Sequence, residues 1–235
     1  MKALYHRRSS LPHYFTKTLD IFLLSLGCIT FSFATSPAKL HIKTLEGSAV
    51  VPFTADLANI SNIVFKEYPY LYGVEDDEQF YLSHYCHSPE VKLCLALDGR
   101  QVIGYAIGVP LSAYSPKFHQ PFQKLGLRIH SLFYIGEVGL LSEYRTHGIG
   151  KQLLLTIEEL VRKEGKYSQI CLVHIDENLI SANKPTDYTS LTSLWSHLHY
   201  QSYPHLTVDL SWKNVDATEA SMHRLIYWIK TLEAN

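Results

Sequence analysis

LFYIGEVGLLSEYRTHGIGKQLLLTIEELVRKEG, residues 132–165, decides the fold of this chain. Leu132–Leu141 is an apolar run of strand length. From Ile149 to Glu164 the residues Ile149, Leu153, Ile157, Leu160 and Val161 return at helical spacing, and Gly165 supplies a stop. Between strand and helix lies the turn Arg145-Thr146-His147-Gly148-Ile149-Gly150. The first amides of a helix have no partner within it and share the positive end of its dipole, so a strand leading through glycines into a helix makes an anion site. A P-loop would need glycine at 145 and Ser or Thr after Lys151, where the chain has Arg145 and Gln152. A dinucleotide fingerprint would need glycine where Leu153 stands.

Outward from this stretch, strands and helices alternate from Leu40 onward, which reads as one α/β domain. Residues 41–46 and 49–51 are expected as a first strand region. Pro52 then opens a helix with Leu57, Ile60, Ile63 and Val64 on its apolar face, ending near Tyr68-Pro69. A second helix is expected over 76–87, its start favoured by the acidic residues 75–78. Strands at 91–97 and 101–109 flank Asp98-Gly99, a hairpin dipeptide. Residues 110–130 carry two further prolines after Pro110 and little periodicity, and read as a long irregular insertion across one end of the sheet. A strand at 169–174, a helix over 189–199 and strands at 206–212 and 223–232 complete the chain.

With 21 basic against 22 acidic residues, the chain has no electrostatic footprint for nucleic acid. Four cysteines, Cys28, Cys86, Cys94 and Cys171, form no CxxC pair, and the 13 histidines form no HExxH or HxxxH pair on an expected helix, so no metal is expected. Residues 1–38 form a separate extension before a domain at 39–235. There Lys2, Arg7, Arg8 and Lys17 precede an apolar run from Ile21 to Ala34, and small residues follow, the order of a secretory signal or membrane anchor. The run falls short of the roughly 20 apolar residues that a spanning helix needs.

The segment Glu143-Tyr144-Arg145-Thr146-His147-Gly148-Ile149-Gly150-Lys151 resembles the pyrophosphate-binding signature of the GCN5-related N-acetyltransferase (GNAT) superfamily, in which Arg or Gln is followed by two residues, Gly, one residue, and Gly or Ala. Glu137, Leu140-Leu141 and Leu194-Trp195-x-x-x-x-Tyr200 also have counterparts in such enzymes. Segments similar to Tyr68–Tyr72, Phe133–Glu137 and Tyr227–Lys230 occur in a bacterial subgroup of them, and the resemblance covers roughly residues 43–233. It implies a central mixed, mostly antiparallel sheet flanked by helices and splayed at its fourth strand. It implies acetyl-coenzyme A as co-substrate, with the amides of Arg145, Thr146, His147, Gly148, Ile149, Gly150 and Lys151 around the pyrophosphate and main-chain groups of Leu140 and Leu141 along the pantetheine arm. It further implies transfer of the acetyl group to an amine of a small molecule or protein. Because acetyl-coenzyme A is cytosolic, the domain is expected in the cytoplasm or held at the membrane by residues 21–34 facing it, with export as the alternative.

An alkylammonium of pKa about 10.4 is neutral only about once in 2,500 at pH 7, so a base is useful. Glu137 is the candidate, set among Phe133, Tyr134, Ile135 and Val138, where desolvation is expected to raise a carboxylate's pKa. Gly136 and Gly139 flank it, compatible with a bulge. Tyr70 and Tyr72 fall in the loop where the superfamily builds much of its acceptor pocket. The tyrosine that relatives use to protonate the leaving thiolate is matched by Trp195, which leaves Tyr188 or Tyr200 as substitutes. That departure, and His199 where relatives carry glycine, keep a non-catalytic acyl-coenzyme A sensor as the alternative.

Overall fold

The computed structural model describes residues 40–73, 82, 85–180 and 184–233; the expected extension 1–38 and most of the expected helix over 76–87 lie outside them. Seven strands form one sheet in the order β1-β2-β3-β4-β5-β7-β6. They are β1 (Leu40–Glu46), β2 (Lys92–Asp98), β3 (Gln101–Pro110), β4 (Leu132–Leu140), β5 (Gln169–Ile175), β6 (Gln201–Lys213) and β7 (Ala220–Thr231). Every neighbouring pair is antiparallel except β4 with β5. Fully within the described residues, the helices that flank the sheet are α1 (Thr54–Val64), α2 (Pro116–Lys124), α3 (Ile149–Glu164) and α4 (Thr192–His197). Among the described residues, no helix is long and apolar enough to cross a membrane.

Two apolar layers hold the sheet between them. On one face Leu57 and Ile60 of α1, and Phe118 and Phe122 of α2, pack with Tyr105, Ile107, Leu132 and Tyr134. On the other, Ile149, Leu153, Leu154, Ile157 and Val161 of α3 pack with Phe133, Ile135, Ile170 and Leu172. Each such buried aliphatic side chain contributes about 1.5–3 kcal/mol, enough to fix α3 where its spacing predicts it. Gly165, with φ 66, ends that helix.

Three expectations are corrected. Residues 47–53 form a 3-10 turn rather than strand, because Gly47 turns with φ 55 and gives its amide to Val91; Pro52 lies inside that turn and α1 starts two residues later. The helix α1 stops at Val64, and Ile63 is exposed. Residues 110–130 hold a 3-10 turn at Leu111–Ala113 and the helix α2, which Pro116 opens at its first position. Phe118 and Phe122, one turn apart, carry α2 onto the sheet, and the Tyr227 hydroxyl donates to the Phe118 carbonyl at 2.8 Å.

The feature that shapes the site is in β4. Ile107 of β3 pairs with Glu137 and Gly108 pairs with Ile135, so Gly136 is one extra residue, a bulge. Phe133 and Ile135 face α3. Without the bulge Glu137 would follow them; with it, Glu137 and Gly139 turn to the α1 face, beside Ser61, Tyr105 and Ile60. A Cβ on Gly136 would meet the Tyr85 hydroxyl at 1.8 Å. We expect Gly136→Ala to cost about 2–3 kcal/mol through overpacking, read as a lower urea midpoint at unchanged slope.

Candidate active site

The parallel pairing of β4 with β5 covers only Leu132–Tyr134 against Gln169–Cys171. Beyond Tyr134 and Cys171 the strands diverge, leaving a fork in the sheet. The Leu141 amide donates to the Ile103 carbonyl at 3.0 Å. By antiparallel alternation Glu137, Gly139 and Leu141 then turn their main-chain groups toward β3, and Val138 and Leu140 turn theirs into the fork. Of the expected pair, Leu140 has its amide toward the fork, whereas the Leu141 amide is bonded to β3 and its carbonyl accepts from the Tyr144 amide at 3.1 Å.

The glycine turn closes the mouth of the fork. Ser142–Tyr144 make a 3-10 turn, Arg145 is extended, and Thr146 and Gly148 have φ of 67 and 78. The left-handed backbone is easy for Gly148 and strained for Thr146. Gly148 stands at the N-cap of α3, and no side chain caps that helix. A Cβ on Gly148 would have nothing within 4 Å, and one on Gly150 would meet only the Leu140 side chain at 4.0 Å. The Thr146 hydroxyl and His147 Nδ1 both bond to the Arg145 carbonyl, at 2.6 and 2.7 Å. Lys151, exposed on the first turn, lies 3.2 Å from His197 Nε2 at the end of α4. The helix start is thus open, uncapped and flanked by a cation.

Arg145 itself braces the turn rather than facing the opening. Its Nε donates to the Leu140 carbonyl at 3.1 Å and its Nη1 pairs with Glu67, beyond the end of α1.

Glu137 is buried, 7 % exposed. Its Oε2 accepts from the Ser61 hydroxyl at 3.5 Å and from the Tyr105 hydroxyl. On the other arm of the fork stands His174, 2 % exposed, a residue that nothing in the local sequence marks. Its Nε2 lies 2.9 Å from Glu177 Oε1, and its Nδ1 lies 3.5 Å from the Tyr70 hydroxyl. The Glu177 oxygen also accepts from Tyr188 and Ser190, at 2.8 and 2.7 Å. Burial pulls His174 below the ordinary imidazole value, against the bond and charge of Glu177. Burial pushes Glu177 up, but donors from His174, Ser190 and Tyr188 outweigh it and hold the carboxyl below its usual range. Burial raises the Tyr70 phenol; a bond from the Ile175 backbone opposes this, and the charges of Glu177 and Glu137 add to it. Tyr70 therefore senses both arms of the fork.

The other aromatic candidates separate. Tyr72 packs against Trp212 and bridges to Asn214 on the β6–β7 side. Trp195 is buried between His174 and Tyr200. Tyr200 is buried on the α3 face, where burial and Glu158 push its phenol far up, and it does not join the Glu137 cluster. His199 adopts a left-handed turn, with φ 67. Among the described residues no group of His, Cys, Asp or Glu could hold a metal ion. Burial pushes the Cys94 thiol up to about 12 and raises Cys171 as well, which leaves both inert.

The model of the acetyltransferase (GNAT) family matches residues 57–183, more than half of the chain and all of the fork and turn. The chain belongs to the GNAT acetyltransferase family. No curated protein matches it in sequence. Among solved structures it is similar to Arabidopsis thaliana NAA60 in complex with acetyl-CoA, at 11 % identity over 83 % of this chain and 99 % of that one, TM-score 0.55. It is similar to the ribosomal-protein-S18-alanine N-acetyltransferase of Escherichia coli at 10 % identity over 84 % and 96 %, TM-score 0.53. A third, yncA from Salmonella typhimurium with its cofactor acetyl-CoA, gives 12 % over 84 % and 96 %, TM-score 0.54. At these identities the likeness is one of fold: the GNAT sheet with its fork between the fourth and fifth strands.

In this GNAT domain the Arg145–Glu67 pair is partly exposed, 39 % for each side chain, and an exposed pair contributes about 1 kcal/mol or less to global stability. Its effect is local. We expect Arg145→Gln to leave the unfolding midpoint nearly unchanged while amide hydrogen exchange at residues 145–148 speeds up at least tenfold.

Proposed function

We propose that this GNAT enzyme takes acetyl-coenzyme A as donor and acetylates a primary amine of a small molecule or protein. The observation that carries the reading is the uncapped start of α3 beside an unpaired strand edge. An anion fits the first, since Gly148 and Gly150 leave room at the amides of residues 145–151 and Lys151 adds charge. An extended, amide-bearing chain fits the second, where the main-chain groups of Val138 and the Leu140 amide face the gap as a neighbouring strand would, the Leu140 carbonyl being held by Arg145. Coenzyme A has both parts, a diphosphate and a pantetheine arm about as long as the β4 edge. Two of the similar structures hold acetyl-CoA.

In this reading the fork brings the thioester to the level of Glu137. The donor supplies an activated acetyl group; the protein excludes water, aligns the amine and removes its proton. Glu137, buried and held by Ser61 and Tyr105, is the base that receives the ammonium proton. The donor pool is cytosolic, so we place the domain on the cytosolic side, whether free or anchored through residues 21–34.

Calorimetry and a coenzyme-release assay with an amine panel test this. Gly148→Glu puts a carboxylate where the diphosphate would lie, and we expect coenzyme affinity to fall at least 100-fold in a protein that still folds. Glu137→Gln is expected to lower kcat by about 10²–10³ with binding retained. Undiminished affinity in the first variant would remove the proposed donor site. Tight binding by the wild type with no transfer to any amine would favour a sensor.

A further inference from the structure

A single exposed apolar side chain is ordinary on a protein surface; several gathered at one place are not. Leu125, Leu127 and Tyr203 are 57 %, 49 % and 41 % exposed, and all three line one groove of about 390 Å³ between the end of α2 and the start of β6. Buried Phe122, Leu132, Leu206 and Ile229 line the same groove. The acetyl-transfer reading uses none of these residues.

The turn that carries the two leucines is held by its backbone. At the end of α2 the Gly126 amide donates to the Gln123 carbonyl at 3.0 Å and the Leu127 amide to the Phe122 carbonyl at 2.9 Å, with Gly126 at φ 67. These are the two bonds of a Schellman cap, in which the residue after the glycine ordinarily packs back on the helix. Leu127 does so only by half, and every residue from Gln123 to Arg128 is exposed. A Cβ on Gly126 would have nothing within 4 Å, so the turn stands clear of the rest of the fold.

The charge beside this turn has one sign. Between Asp98 and Glu137 the chain has no carboxylate, and β6 has none before Asp209. Lys124, Arg128, His130 and His205 are exposed, and Arg128 and His205 line the groove itself. Among the described residues Lys124 and Arg128 enter no ion pair, whereas Arg145, Arg162, Lys163, Lys166 and Arg224 each do. An adjoining cavity shares Gln169, Tyr203 and Ile229 with the groove and brings Arg162 and Lys230 with one carboxylate, Glu233.

Leucines held out on a turn, with free cations and a tyrosine beside them, match the boundary of an anionic bilayer. There aliphatic groups enter the acyl region, Lys and Arg keep their charge among the headgroups, and tyrosine sits between the two. A purely acidic partner would neutralise the cations but leave Leu125 and Leu127 in water. We propose that the turn at Leu125–Arg128, together with Tyr203, docks the GNAT domain on an anionic lipid surface. The groove lies where Leu132 begins β4 and Gln169 begins β5, the end at which these two strands are paired. The fork opens at the other end, so a domain seated this way keeps its donor and acceptor sites free. This contact is separate from residues 21–34 and holds whichever amine is acetylated.

The test is binding of the full chain to phosphatidylcholine vesicles with and without phosphatidylserine. The anionic vesicles should bind roughly tenfold tighter or more, and the difference should shrink as salt rises. A Lys or Arg near such a surface contributes roughly fivefold, so Lys124→Gln and Arg128→Gln should each lose about that factor on the anionic vesicles alone. Leu125→Glu combined with Leu127→Glu should lose roughly tenfold or more. Coenzyme release in solution should stay unchanged in all of these variants, since none touches the fork. Residues 21–34 are expected to reach a membrane by themselves, so contact is also read at the turn. Emission from Leu125→Trp should shift to the blue and be quenched by brominated lipid, whereas that from Leu155→Trp, at a site 43 % exposed on α3, should not. Vesicle binding that leaves Leu125→Trp unquenched, undiminished binding by the double glutamate variant, or a wild type that binds neither vesicle overturns the proposal while leaving acetyl transfer intact. Self-association of the wild type that the glutamates abolish, with no quenching by lipid, assigns the face to a second copy of the chain and overturns it as well.

Discussion

At Gly136 the fourth strand carries one residue more than the strand it pairs with, and from there the sheet cannot stay closed. The bulge reverses which face Glu137 presents and lies where pairing to β5 stops. The main-chain groups of Val138 and the Leu140 amide are left turned into a gap within the sheet, while the Leu140 carbonyl accepts from Arg145. A buried N–H or C=O without a partner costs about 1–3 kcal/mol, so such an edge persists only where something supplies hydrogen bonds. The strand's departure from regularity thus creates the site. Glycine is required at 136 because the Tyr85 hydroxyl occupies the space a side chain would need.

The rest of the scaffold holds the two arms apart. Behind the first arm, α3 is fixed by its apolar face and by Glu158, buried against Lys230 of β7. Lys92, 1 % exposed, joins Glu164 at the other end of α3 to Glu46 of β1. Buried ion pairs of this kind add little net stability, because desolvation offsets most of the attraction, but breaking one leaves a charge stranded. They set where along the sheet α3 begins, and hence where its free amides point. Arg145 does the same at short range, tying the turn to Leu140 and to Glu67.

Behind the second arm the Glu177 carboxylate is crowded with donors from His174, Tyr188 and Ser190. A carboxylate so held orients the imidazole without competing for its proton. The result is a fork with one buried carboxyl at the bulge and one imidazole on the other strand, and with the phenol of Tyr70 against the imidazole.

Much of this was legible from residues 132–165. The spacing of Ile149, Leu153, Ile157 and Val161 dictates a helix whatever surrounds it, and Gly148 and Gly150 mark its start as open to an anion, because both are consequences of local backbone geometry. The bulge at Gly136 and the burial of Glu137 were suggested by glycines flanking a carboxylate in an apolar run. The helix at Pro116–Lys124 was not legible: its prolines read as breakers, and only packing of Phe118 and Phe122 on the sheet reveals that one of them opens a helix. Nor could local pattern find His174 and Glu177, or bring Tyr70 to them; the fold gathers the three from the loop after α1, from β5 and from the turn that follows it. Leu141 shows the same limit, since which amides face the fork depends on the strand register that β3 imposes. Sequence determines what depends on neighbours along the chain; the hydrogen bonds around the fork join residues as many as 104 positions apart, and only the closed sheet brings them within reach.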